Sequence, residues 1–139
     1  MADLAAPCGL FCGSCPLYKA WQDPEFHKTL AEKMKVPPEK AKCPGCRPAS
    51  GSVTPIGETC QTYRCAQEKQ VSFCYQCNAF PCHKLAPCAD RAQLLPHNLK
   101  VFSLLALKNM GREKWEKEYP SMARHYFRGQ MVLGAGPKV

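Results

Sequence analysis

Apolar positions are spread unevenly along the chain: scattered short groups before about Leu94, and one dense run after it. Phe26, Leu30 and Met34, with Ala31 beside them, recur at helical spacing up to Lys35. Asp23-Pro24 supplies a cap and a first-turn proline for that helix, and Pro37-Pro38 ends it. Leu17 to Gln22 predicts a shorter helix just before it. Further on, Leu99, Val101, Phe102, Leu104 and Leu105 predict an amphipathic helix to about Met110, stopped by Gly111. Trp115, Tyr119, Met122 and Tyr126 put a stripe on a second helix from Glu113 to Phe127, with a break expected at Pro120. This C-terminal pair is expected to cover the first half through Leu99, Phe102, Leu105 and Trp115, and the Gly-rich tail after it is assigned no structure.

Between these helices the pattern is set by cysteine, proline and glycine. Pro7 to Cys15 reads as a turn-rich loop in which glycines let backbone amides turn toward sulfur. Cys43-Pro-Gly-Cys46 is a tight knuckle, followed by a Pro/Ser/Gly-rich loop to about Thr59. Glu58 to Cys65 leads from a strand or turn into a helix, and Phe73 to Cys77 forms a second knuckle. Phe80-Pro81-Cys82 is expected to open a helix through Leu85, interrupted at Pro87. The expected fold class is therefore α+β or irregular: a small metal-bound domain whose cysteine-knuckle loops and short hairpins pack on three to five helices. Residues 1–93 form the cysteine-rich metal-binding region and 94–139 a helical region packed on it, within a single domain.

Composition explains why such a fold needs cross-links. All 11 cysteines lie in the apolar-poor first two thirds of the 139-residue chain, where burial alone does not offset the entropy of ordering. The N-terminus lacks the basic start and apolar core of a signal peptide, and no stretch reaches the roughly 18 to 20 apolar residues of a membrane span. A cytosolic, membrane-free location follows as an expectation, and there structural disulfides are rare. An odd count also leaves one thiol over in any disulfide scheme. Metal is the better cross-link. The formal charge of +8 then shrinks, since eight thiolates on two divalent ions add a net charge of about −4.

The cysteines fall into clusters with ligand spacing. Cys8, Cys12 and Cys15 form C-x3-C-x2-C; Cys43 and Cys46 form C-x2-C; Cys60 and Cys65 form C-x4-C; Cys74, Cys77 and Cys82 form C-x2-C-x4-C. Two residues between thiolates place both sulfurs on one tetrahedral metal without strain. These ten are the candidate metal ligands, and Cys88, outside every knuckle, reads as a small buried hydrophobe. The most economical site joins Cys43 and Cys46 to Cys60 and Cys65 at zinc-ribbon-like spacing. The remaining six suit a four-cysteine site with two spare thiols, a binuclear zinc cluster, or an iron–sulfur cubane at Cys8, Cys12 and Cys15 with a fourth thiolate from Cys74 to Cys82. The C-x3-C-x2-C triad also occurs in radical S-adenosylmethionine enzymes, but those place it in a far longer barrel of alternating strands and helices.

The strings CGLFCGSCPLY, CPGC, the C-x4-C-Ala element and FCYQCNAFPC resemble a family of small cysteine-rich proteins from anaerobic bacteria and archaea. The family is catalogued as domain of unknown function number thirty-seven ninety-five. The resemblance runs from about Cys8 to Leu85, with a weaker echo in HNLK and GREKWE. It implies zinc binding and an anaerobic source, leaves Cys88 outside the pattern, and supplies no biochemical role.

Zinc, two or more ions, in a binding or scaffold module with a protein partner is accordingly the leading expectation, because saturated four-cysteine sites have no open coordination position. His27, His83, His97 and His125 are scattered, and His83 beside Cys82 is the one alternative ligand among them. No nucleophile triad, phosphate-binding loop or paired carboxylates stand out, which places an enzyme behind a binding module. The alternatives are an iron–sulfur redox protein or thiol-based sensor, and a nucleic-acid-binding zinc module. The last draws on Lys100, Lys108, Arg112, Lys114, Lys117, Arg124 and Arg128 among Phe102, Trp115, Tyr126 and Phe127. Glu113, Glu116 and Glu118 interrupt that run and give it the character of a solvated face.

Overall fold

The computed structural model describes residues 2–54, 57–85, 99–128, 131–132, 134 and 136–137. Among the described residues five α-helices carry the fold: α1 (Pro16–Gln22), α2 (Pro24–Met34), α3 (Gln61–Glu68), α4 (Leu99–Met110) and α5 (Arg112–Arg128). Strand among the described residues amounts to Met131–Val132 paired antiparallel with Gly136–Pro137, plus single bridges at Ala5–Phe11 and Ser52–Thr59. The molecule is thus mostly helical, and the expected α+β character reduces to these short pairings. Cys88, His97 and the expected interruption at Pro87 lie outside the described residues.

Local chemistry fixes the helix ends where cap and period agree. Asp23 Oδ1 accepts from the N–H groups of Glu25 and Phe26 at 3.1 and 3.0 Å, so α2 starts at Pro24 as expected. Helix α4 stops before Gly111, which takes a left-handed φ of +81°. Three expectations fail. Pro120 does not break α5, which runs on to Arg128; the proline is exposed, so the Glu116 carbonyl it leaves unbonded can be reached by water. Among the described residues, the segment after Pro81 makes a single 3-10 turn at His83–Leu85 in place of a helix opening at Phe80-Pro81-Cys82. Leu105, expected in the cover over the first half, is 44% exposed while the adjacent Leu104 is fully buried; the buried residues of α4 are Leu99, Ser103, Leu104 and Leu107, and Phe102 packs against the core as expected.

One apolar cluster joins the two ends of the chain. Ala5, Phe73 and Leu85 pack with Leu99, Leu104, Leu107, Trp115 and Tyr119. Phe11 makes edge contacts with Trp115 and Tyr119, at ring-centroid distances of 5.7 and 5.9 Å. The cysteine loops therefore rest directly on α4 and α5, and Cys8 and Cys74 line the edge of the same core.

Candidate metal centre

Three polar ties hold the cysteine loops in place. The Trp115 indole donates to Ser103 Oγ at 2.9 Å, and Ser103 donates to the Gly9 carbonyl at 2.5 Å, both inside the core. Gly9 has φ +85°, and a Cβ there would lie 2.7 Å from Leu104 Cγ, so only glycine lets the Cys8 turn approach α4 this closely. Arg47, next to the first knuckle, donates from Nε to the Ala5 carbonyl at 2.6 Å and from its terminal nitrogen to the Ser72 carbonyl at 2.5 Å. Its guanidinium lies over Phe73, 5.3 Å from the ring centroid. The Cys74 N–H donates to the Pro7 carbonyl at 2.9 Å, docking the second knuckle on the Cys8 loop. Neither Arg47 nor Ser103 carried any sequence signal for this role; only Gly9, flanked by Pro7-Cys8, did.

The ten predicted cysteines are free thiols, on these loops and, for Cys65, on α3. Around Cys12 lie Cys8, Cys15 and Cys43, close enough for their charges to repel, and the Cys46 N–H points at Cys12 Sγ at 3.4 Å. That amide follows Gly45, whose φ of +103° makes the turn, as expected of glycine beside a ligand cysteine. Cys46 in turn senses Cys8, Cys12 and Cys60. On the other side, Cys65, Cys74, Cys77 and Cys82 line one cavity of about 330 Å³ together with Thr62, Ala66, Lys69, Phe80, His83 and Lys84. His83 reaches this cavity while remaining exposed. The Ala79 N–H donates to Cys77 Sγ at 3.4 Å.

Cys60 and Cys65 thus face different neighbours, in contrast to the zinc-ribbon-like pairing. The cause is α3. Cys60 is its N-cap and Cys65 lies inside it, and five positions on an α-helix amount to a rotation of about 140°. Cys65 shares its face with Thr62, Ala66 and Lys69, all of which line the cavity.

Electrostatics make this arrangement unfavourable for bare thiolates. Burial pushes the Cys12 thiol up to about 11, opposed by the Cys46 N–H and reinforced by Cys8, Cys15 and Cys43. Burial, then repulsion from Cys8, Cys12 and Cys60, raises Cys46 to about 12, with Arg47 opposing. Burial, then Cys8, Cys82, Cys65 and Cys77, does the same for Cys74. A divalent cation would cancel both causes, so the donor set fits a thiophilic metal in kind. Its present geometry is not a closed coordination shell: among the described residues, no group of three or more Cys, His, Asp or Glu side chains is arranged to hold an ion as it stands.

Fold and site together define a small, mostly helical, cysteine-rich domain. Residues 4–87 match the family model described as a protein of unknown function, DUF3795, and the chain belongs to that family. No curated protein and no solved structure matches the chain.

Proposed function

We propose that this protein is a metal-stabilised binding or scaffold module, with zinc as the metal. One observation carries the reading: four cysteines within residues 65–82, from α3, the second knuckle and the segment after it, line one cavity. In a thiolate site of this kind the protein would supply Cys65, Cys74, Cys77 and Cys82, and the ion would supply charge neutralisation and a cross-link between segments. The chain's own residues hold the second knuckle in register, through Arg47 on the Ser72 carbonyl and the Cys74-to-Pro7 hydrogen bond.

The nucleic-acid reading loses support. Trp115 is fully buried and Tyr119 is 5% exposed, so they belong to the core and offer no stacking platform. Phe102 and Tyr126 pack on each other at 5.0 Å. Arg112 is engaged by Asp3 at 2.6 Å and Glu116 at 2.7 Å. No helix among the described residues is long and apolar enough to cross a membrane.

The size of the cavity favours one second reading. About 330 Å³ is more room than a single ion fills, and four thiolates are also the ligand set of an iron–sulfur cubane. Metal and sulfide analysis with an absorption spectrum, on protein purified without oxygen, decides between them. Zinc without visible absorption supports the module. Iron with sulfide and a brown colour makes electron transfer the function, and a metal-free chain of unchanged stability overturns both.

A further inference from the structure

We propose that the cysteines form two independent metal sites divided within α3, with Cys65, Cys74, Cys77 and Cys82 holding one thiophilic divalent cation and a second cation held by four thiols from among Cys8, Cys12, Cys15, Cys43, Cys46 and Cys60. The assignment rests on the metal reading above and goes beyond it by stating which thiols share an ion.

Three observations carry it. Cys65, Cys74, Cys77 and Cys82 line one cavity, and neither Cys43, Cys46 nor Cys60 does. The second knuckle is already folded as a 3-10 turn at Cys74–Gln76, with the Ala79 amide donating to Cys77 Sγ, a bond that favours the thiolate. Lys69 and Lys84 line this cavity with the four thiols. Four thiols that bind one divalent ion release four protons and leave a complex of net charge about −2, which two nearby ammonium groups offset. Cys82 is exposed, so the ion enters from solvent. The second group has ties of its own, through the Cys46 amide on Cys12 Sγ and the Cys60 N–H on the Gly51 carbonyl at 2.9 Å, while Cys8, which raises both Cys46 and Cys74, lies between the two groups.

The test uses the full-length, reduced chain loaded with a single equivalent of Zn²⁺. Rapid thiol alkylation, read by intact-mass and fragment spectra, identifies which cysteines one ion protects in each singly loaded molecule. The expected protected set contains Cys65, Cys74, Cys77 and Cys82 together, or none of the four. A set that joins Cys65 to Cys43 or Cys46 overturns the division while leaving the metal reading intact. A chain that retains no Zn²⁺ overturns the division and the metal reading together. Cobalt titration of Cys65→Ser gives an independent readout, with one of two thiolate-bound equivalents lost and the other kept. Loss of both from a variant whose helical circular dichroism is still that of the folded chain contradicts independence. If the variant unfolds, the protection pattern of the unsubstituted chain still decides.

Discussion

The Ser103 hydroxyl donates to the Gly9 carbonyl at 2.5 Å, across 94 positions of chain, and accepts from the Trp115 indole at 2.9 Å. One hydroxyl in the core thus fastens the first cysteine turn to both C-terminal helices. Ser103→Ala strands a buried carbonyl and a buried indole N–H, and is expected to cost about 1–3 kcal/mol. Urea unfolding followed by Trp fluorescence measures it, and an unchanged midpoint would show that the network is not structural.

Gly9→Ala is expected to destabilise more than Gly111→Ala. Both glycines have positive φ, +85° and +81°, so both variants carry the left-handed backbone cost of roughly 1–2 kcal/mol. Only at Gly9 does the new Cβ meet Leu104 Cγ at 2.7 Å, whereas nothing lies within 4 Å at Gly111. The difference between their melting temperatures isolates the packing contribution.

Arg47→Lys is expected to cost about 1–3 kcal/mol, since one ammonium cannot bridge the Ala5 and Ser72 carbonyls and cover Phe73 as the planar fork does. Arg112→Ala, at a side chain 46% exposed, should cost under about 1 kcal/mol despite its two ion pairs. Equal losses in chemical denaturation would contradict this ranking.

Alkaline pH should destabilise the metal-free chain. Burial pushes Tyr119 above its ordinary 10.0, with the Phe11 backbone opposing, and raises Cys46 and Cys74 from 9.0 to about 12. Folded pKa values above unfolded ones mean stability that is complete below pH 9 and is lost as pH climbs toward 12. Thermal melts across that window, with reductant and chelator present, should fall steadily. Tyr119→Phe should flatten the fall above pH 10, and a flat profile for the unsubstituted chain would refute the sign.

Removing metal should lower the melting temperature, because binding free energy at a structural site is folding free energy. Cys46→Ser is expected to release metal and melt earlier, since its backbone and thiol sit against Cys12. A variant with unchanged metal content and melting temperature removes Cys46 from the ligand set.

Sequence alone determined what depends on near neighbours. The start of α2 followed from Asp23-Pro24, and the extent of α4 from its apolar period and Gly111, because caps and stops act within one turn. The turns at Gly9 and Gly45 were legible for the same reason. Tertiary structure decided what depends on phase and distance. Leu104 and Leu105 are adjacent and equally apolar, so periodicity admitted either face of α4, and only packing against Gly9 and Trp115 selected Leu104. Spacing relates Cys60 to Cys65, but the helix between them turns one away from the other, and the chain brings Cys65 to Cys74, Cys77 and Cys82 instead. Knuckle spacing constrains two sulfurs that are close in sequence; which knuckles meet is set by how the loops pack on α4 and α5.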